Sequence, residues 1–136
     1  MSDYTMEYKH LREAIGYGNA ARKKAEEEIA KLENDATWAA MNYLRGRTAF
    51  PIHVEKTISL IAEFPKALVV FHRALNKVTY LPTSVQAEVD TYFDFVEREV
   101  YGEKYPSSNL IRKARDDLND LISLLMQQLK SWEAYL

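Results

Sequence analysis

The chain contains no cysteine. This absence excludes disulfide frameworks, thiol nucleophiles and thiolate metal sites, and it fits the cytoplasmic location that we expect. A transmembrane helix needs roughly 20 apolar residues, and the longest apolar run here covers only residues 67–71. The N-terminal residues carry charges with no apolar stretch between them, which does not fit a secretory signal. We therefore expect no membrane partner.

Glycine and proline are scarce, with four of each among 136 residues, and good helix formers dominate between them. The length suits one domain that buries a sizeable core. No segment shows a convincing strand pattern. We predict an all-α fold, a helical bundle of about five helices in a single domain (residues 1–136). Its N-terminal and C-terminal helices are expected to be long and amphipathic.

Mostly apolar residues recur at alternating spacings of four and three in both long helices. The N-terminal seam, over about residues 3–45, consists of Tyr4, Tyr8, Leu11, Ile15, Gly18, Arg22, Ala25, Ile29, Leu32, Ala36, Ala39 and Tyr43. The C-terminal seam, from about residue 109 onward, consists of Ile111, Ala114, Leu118, Leu121, Leu125, Leu129, Trp132 and Leu136. Heptad seams join helices within or between chains, and we predict that one of them makes the protein a homo-oligomer.

Breaks in the pattern set the expected helix boundaries. The N-terminal seam keeps its phase across Gly16 and Gly18, which favours one long helix. Pro65 either kinks the second helix or opens a third, and the count of five takes the second option. Thr83 and Gln86 have the spacing of a capping box, so a helix should start there and stop at Gly102.

The sequence contains no phosphate-binding loop, no nucleophile elbow and no His-Glu-x-x-His motif. Glu7 and His10 have the Glu-x-x-His spacing of di-iron bundles, but such a site needs the motif twice. His72, in an apolar segment, is interpreted as a hydrogen-bonded, partly buried structural residue. We therefore predict no catalytic residue, no metal and no cofactor, and the protein is not expected to be an enzyme.

Arg47 precedes His53 by six residues in this helical chain. The pair resembles the active motif of HEPN-type ribonucleases, a resemblance that implies two such sites paired across a dimer. Thr48 follows the arginine where the motif has a different polar residue, and Pro51 interrupts the segment. A HEPN-like ribonuclease is the minor alternative.

Negative charge is concentrated in residues 84–103, which hold six carboxylates and one arginine for a formal charge of −5, while the rest of the chain sums to +3. On a helix, the valines and two aromatic residues of this segment share one face, which must be the core face. The outward residues form a candidate partner-binding surface of Glu88, Asp90, Asp94, Glu97 and Tyr101. Such a surface would suit a basic protein that handles nucleic acid.

Basic residues form two clusters, Arg45 with Arg47, and Arg112 with Lys113 and Arg115. They are the basis of a second hypothesis, a helical nucleic-acid binder. Carboxylates four residues away are expected to neutralise such bases, as Asp117 does for Lys113. The net charge of −2 also gives no reason for tight non-specific binding to nucleic acid.

Other charged pairs at the same spacing, including Arg112 with Asp116 and Lys24 with Glu28, are interpreted in the same way, as solvated helix faces. The leading prediction is a non-enzymatic interaction module of the adaptor or inhibitor type. It self-associates and binds a basic partner through the acidic helix.

Overall fold

The computed structural model describes the backbone of residues 3–44, 50–102 and 107–136, and the side chains of residues 4–34, 63–102 and 107–136. Within these ranges the chain forms four α-helices and no strand. The helices are α1 (Asp3–Leu44), α2 (Phe50–Asn76), α3 (Thr83–Phe95) and α4 (Ser108–Trp132). A π-helix (Val96–Val100) extends α3, and a 3-10 turn (Glu133–Tyr135) follows α4. The prediction of an all-α fold is confirmed.

Polar contacts show that α1 and α2 are antiparallel. At one end, Glu7 accepts hydrogen bonds from the backbone nitrogen and the hydroxyl of Thr79, just beyond α2. Further along, Lys24 lies 3.4 Å from the Glu63 carboxylate. The residue numbers therefore rise along α1 as they fall along α2. This is the order expected when a short connection joins neighbouring helices.

The same reasoning places α4 antiparallel to α1. Arg112, in the first turns of α4, pairs with Glu33. The Tyr8 hydroxyl donates to Glu133, just past the end of α4, at 3.1 Å. Helix α1 thus packs along both α2 and α4, and α3 closes the bundle through ring contacts to α2 and a hydrogen bond to α4.

An aromatic cluster fastens the end of the bundle where three segments meet. The Tyr4 ring stacks on Tyr135 with centroids 4.8 Å apart, and its edge contacts Tyr80 and Trp132. These contacts tie the start of α1 to the segment after α2 and to the end of α4. Part of the high tyrosine content therefore serves internal packing.

Helix α2 continues through Pro65, so the predicted split is wrong and the described ranges contain four α-helices rather than five. An interior proline removes one backbone hydrogen bond and disfavours the helix. The neighbouring side chains Phe64 and Leu68 are fully buried. Their burial on one face stabilises the continuous helix, each by about 1.5–3 kcal/mol.

The start of α3 also differs from the prediction, because the capping box of Thr83 and Gln86 does not form. The helix begins one residue earlier than a Thr83 cap would allow, and Pro82 occupies the cap position with no side-chain hydrogen bond. The Gln86 side chain is directed along the helix instead, donating to Asp90 at 2.9 Å. Helix α4 does have a side-chain cap, in which Ser107 accepts from the Leu110 nitrogen.

Most of the described seam residues lie in the core of a single chain, while Ala36, Ala39 and Tyr43 fall outside the residues whose side chains are described. From α1 the buried members are Leu11, Ile15, Gly18, Ala25 and Ile29, and from α4 they are Ile111, Ala114, Leu118, Leu121, Leu125 and Trp132. These residues pack within one chain and are not accessible to a second copy. Self-association remains an untested prediction, and within the described residues it would have to use other surfaces.

Helix α1 passes without a break through two glycines in different surroundings. Gly18 is buried, and a Cβ there would lie 3.0 Å from Phe71 Cε1 and 3.3 Å from Ile122 Cγ1. Gly16 is exposed, and a Cβ there would have nothing within 4 Å. Only Gly18 is needed for packing, because it allows side chains of α2 and α4 to contact the α1 backbone.

Replacing each glycine with alanine should separate these roles. Gly16→Ala should raise the free energy of unfolding by about 1 kcal/mol, because alanine is the better helix former. Gly18→Ala should lower the free energy of unfolding by about 1 kcal/mol. Overpacking against Phe71 and Ile122 costs roughly 1–3 kcal/mol, which outweighs the gain in helix propensity. Urea denaturation followed by circular dichroism measures both variants. Equal stabilisation by the two alanines would contradict the close packing at Gly18.

Candidate functional site

The core face of α3 fixes which of its residues point outward. The buried residues of α3 and the π-helix are Val85, Val89, Tyr92, Phe93, Val96 and Val100. Phe93 stacks on the His72 ring of α2 at 3.9 Å between centroids, and Tyr92 donates its hydroxyl hydrogen to the Ala114 carbonyl of α4 at 3.0 Å. Helix α3 is thereby held from two sides, and the opposite face remains in solvent.

That solvent face carries four of the five residues predicted to bind a partner. Asp90, Asp94, Glu97 and Tyr101, at spacings of four, three and four, are all exposed, and we call them the acidic stripe. Glu88 is also exposed, but it lines a groove between α3 and α4. The predicted site therefore consists of a stripe and one residue on a different flank.

The acidic stripe is only partly neutralised. Arg98 lies 3.2 Å from Asp94, and both side chains are more than 60% exposed, so the pair contributes little to stability. Asp90 accepts a hydrogen bond from a neutral amide, and Glu97 has no ion pair among the described residues. Within the described part of the chain, these two carboxylates therefore have no cation paired with them.

Tyr101 ends the acidic stripe as a neutral hydrogen-bond donor. Partial burial and the nearby Glu97 carboxylate raise the pKa of Tyr101 to about 12. The phenol therefore stays protonated at any physiological pH. A tyrosine side chain offers both ring surface and a hydroxyl, and tyrosine is enriched in protein interfaces.

The stripe crosses a change in backbone geometry that the sequence did not predict. Residues 96–100 form a π-helix, and the Tyr101 nitrogen donates to the Val96 carbonyl at 2.9 Å, five residues back. π-Helical turns are rare and are frequent at functional sites. Val96 and Val100 are buried beneath this turn, while the three residues between them are exposed.

The groove between α3 and α4 has a volume of about 710 Å³. We call it the α3/α4 groove, and it is lined by Glu88, Thr91, Tyr92, Phe95, Arg98, Lys113, Asp117, Asp120, Leu121 and Leu124. Helical spacing places Phe95 on a separate flank of α3 from the stripe, and its side chain is half-buried. The spacing could not show that α4 would supply the other wall.

The basic cluster at the start of α4 is neutralised by carboxylates. Lys113 pairs with Asp117 at 2.9 Å, as predicted. Arg112 pairs with Glu33 of α1 rather than with the predicted Asp116. The cause is the packing of α4 against α1, which brings a carboxylate from another helix within reach.

Asp116 is taken by the third base of this cluster, Arg115, at 2.9 Å. All three bases therefore have partners. Arg45 and Arg47 lie outside the described residues, as does the side chain of His53. The basic cluster of Arg45 and Arg47 and the ribonuclease alternative therefore stay predictions.

Buried Glu7 accounts for the Glu-x-x-His spacing without a metal. Its carboxylate accepts two hydrogen bonds from Thr79, one of them from the backbone nitrogen at 2.7 Å, and His10 Nδ1 lies 3.9 Å away. No cluster of three or more potential metal ligands occurs in the part of the chain described. His72 is partly buried as predicted, but it stacks on Phe93 and makes no hydrogen bond to any of the described residues.

Glu28 contradicts the interpretation of its charge run as a solvated face. Its side chain is fully buried, and neither carboxylate oxygen has a hydrogen-bond partner among the described residues. Lys24 instead contacts Glu27 and Glu63. Burial, with a smaller contribution from the Glu63 charge, raises the pKa of Glu28 to about 8. The carboxyl is therefore largely protonated at neutral pH.

The raised pKa predicts a pH-dependent stability. In the unfolded chain, Glu28 releases its proton near the ordinary carboxyl pKa of 4.5, whereas in the folded chain it keeps the proton up to a pH of about 8. The free energy of unfolding therefore declines as pH rises from about 4.5 to about 8. Glu28→Gln should match the wild type near pH 4.5 and exceed its unfolding free energy by a few kcal/mol at pH 9. Urea titrations at several pH values measure the difference.

Glu27→Gln is the matched control, because Glu27 is the adjacent residue and is exposed. Its difference from the wild type should stay within about 1 kcal/mol between pH 4.5 and pH 9. A wild-type profile parallel to that of Glu28→Gln would show that Glu28 is ionised in the folded chain.

Among the described residues, no helix combines the length and the apolar character needed to cross a membrane. Comparison of the chain with protein-family models, curated proteins and solved structures found no match. The function is therefore inferred from the geometry of this chain.

Proposed function

We propose that the protein is a non-enzymatic interaction module that binds a basic, nucleic-acid-handling protein through the acidic stripe of α3. The observation that carries the proposal is the outward position of Asp90, Asp94, Glu97 and Tyr101 on a helix whose other side is fixed in the core. An adaptor or an inhibitor that presents carboxylates in place of phosphates would act in this way.

The charges of the stripe support this choice of partner. Like charges along one helix face repel each other and slightly destabilise the helix. Arg98 compensates only Asp94. A basic surface would pair with the remaining carboxylates, speed encounter and fix the orientation of the complex.

The state of the basic cluster on α4 supports a protein partner over nucleic acid. Arg112, Lys113 and Arg115 are already paired with carboxylates. Phosphate binding would first have to break these pairs. Among the residues that the structure describes, no base is paired with Asp90 or Glu97.

Charge reversal tests the proposal. The partner is recovered on immobilised wild-type protein from an extract of the source organism, purified, and titrated calorimetrically with wild type and with the double variant Asp90→Lys/Glu97→Lys. We expect the variant to bind at least roughly tenfold more weakly, and wild-type affinity to fall as salt screens the charges.

Glu13→Lys/Glu26→Lys is the matched control, because both residues are exposed on α1 and both variants shift the net charge from −2 to +2. It should bind like the wild type. If both double variants bind equally weakly, only net charge matters and the stripe is not the site. If Arg112→Glu/Lys113→Glu abolishes binding and the stripe variant does not, the basic cluster is the site.

A further inference from the structure

The α3/α4 groove combines an apolar floor with charged residues at both ends. Its floor includes Phe95, Leu121 and Leu124, each half-buried or buried. A volume of about 710 Å³ falls within the range of pockets that enclose small ligands. It is too small for a whole helix and large enough for one or two side chains.

One end of the groove is already occupied by a cation from this chain. The Lys113 ammonium lies 5.0 Å from the centre of the Phe95 ring, in a cation–π arrangement, and 2.9 Å from Asp117. Arg98, also at this end, pairs with Asp94. The charges at the Phe95 end are therefore matched within the chain.

The other end has carboxylates without cations. The contacts of Tyr92 with Ala114 and of Phe95 with Lys113 run in opposite order along α3 and α4, which indicates that the two helices are antiparallel. Seven residues back along α3 is Glu88, and seven residues forward along α4 is Asp120, so both line the groove two helical turns from the Phe95–Lys113 contact and in the same direction. Neither has an ion pair or hydrogen bond among the described residues.

We infer that the α3/α4 groove binds an arginine and an adjacent aliphatic side chain of the partner protein. The guanidinium would lie between Glu88 and Asp120, since its fork of donors can bridge two carboxylates. The aliphatic side chain would cover Leu121 and Leu124. An arginine beside an apolar anchor in a pocket is a typical interface hot spot. The inference rests on the proposed function in that both assign a basic protein partner.

A small probe tests the groove without the partner. The ¹⁵N-labelled full chain is titrated at low salt with acetyl-leucyl-arginine amide and, for comparison, with acetyl-leucyl-glutamine amide. We expect saturable shifts of the amide signals of residues 88–95 and 120–124. Binding of the arginine probe should be at least roughly fivefold tighter, because only it carries the positive charge.

Two double variants remove two carboxylates each. Glu88→Gln/Asp120→Asn should abolish the preference for arginine, and the control Glu13→Gln/Glu26→Gln, at exposed positions of α1, should leave it unchanged. The absence of saturable shifts in the groove, or a preference that survives Glu88→Gln/Asp120→Asn, would overturn the inference.

The two proposals can fail separately. A preference lost only in a third double variant, Asp90→Asn/Glu97→Gln, would place arginine binding on the acidic stripe, which overturns the groove inference and agrees with the proposed function. Conversely, the proposed function fails if the purified partner binds Asp90→Lys/Glu97→Lys like the wild type, whatever the probe does in the groove.

Discussion

The close approach at Gly18 is the constraint on which the rest of the structure depends. A single α1 residue without a side chain allows Phe71 of α2 and Ile122 of α4 to contact the same point of the α1 backbone. Both neighbouring helices are thereby held against one central helix, and their apolar faces are buried inside the chain. Helix α3 then closes the remaining side through Tyr92 and Phe93.

Within this packing, α3 is the helix whose outer face we propose to bind a partner. The core members of the α1 and α4 seams are buried by internal packing, and the bases at the start of α4 are paired with carboxylates. The outer face of α3 contributes no comparable contact, yet it carries the concentrated charge. Asp90 and Glu97 on the stripe, and Glu88 and Asp120 at the rim of the α3/α4 groove, are exposed and have no ion pair among the described residues.

Much of the fold could be predicted from the sequence because local patterns are strong in helices. The spacing of apolar residues identified the long helices, the core face of α3 and its outward carboxylates. The other features depend on tertiary contacts. Packing of Phe64 and Leu68 overrides the break expected at Pro65, and a neighbouring helix supplies Glu33 to Arg112. The burial of Glu28 and the α3/α4 groove have no signal in the local sequence pattern either, because each depends on contact with a second helix.

Hydrogen–deuterium exchange on the chain, alone and bound to its purified basic partner, tests the central claim most directly. Exchange reports where binding stabilises backbone hydrogen bonds. Our account predicts slower exchange in residues 83–102, the segment that carries the acidic stripe, with little change in residues 4–34. Protection confined to residues 107–118, with none in residues 83–102, would assign binding to the basic start of α4 and contradict the account.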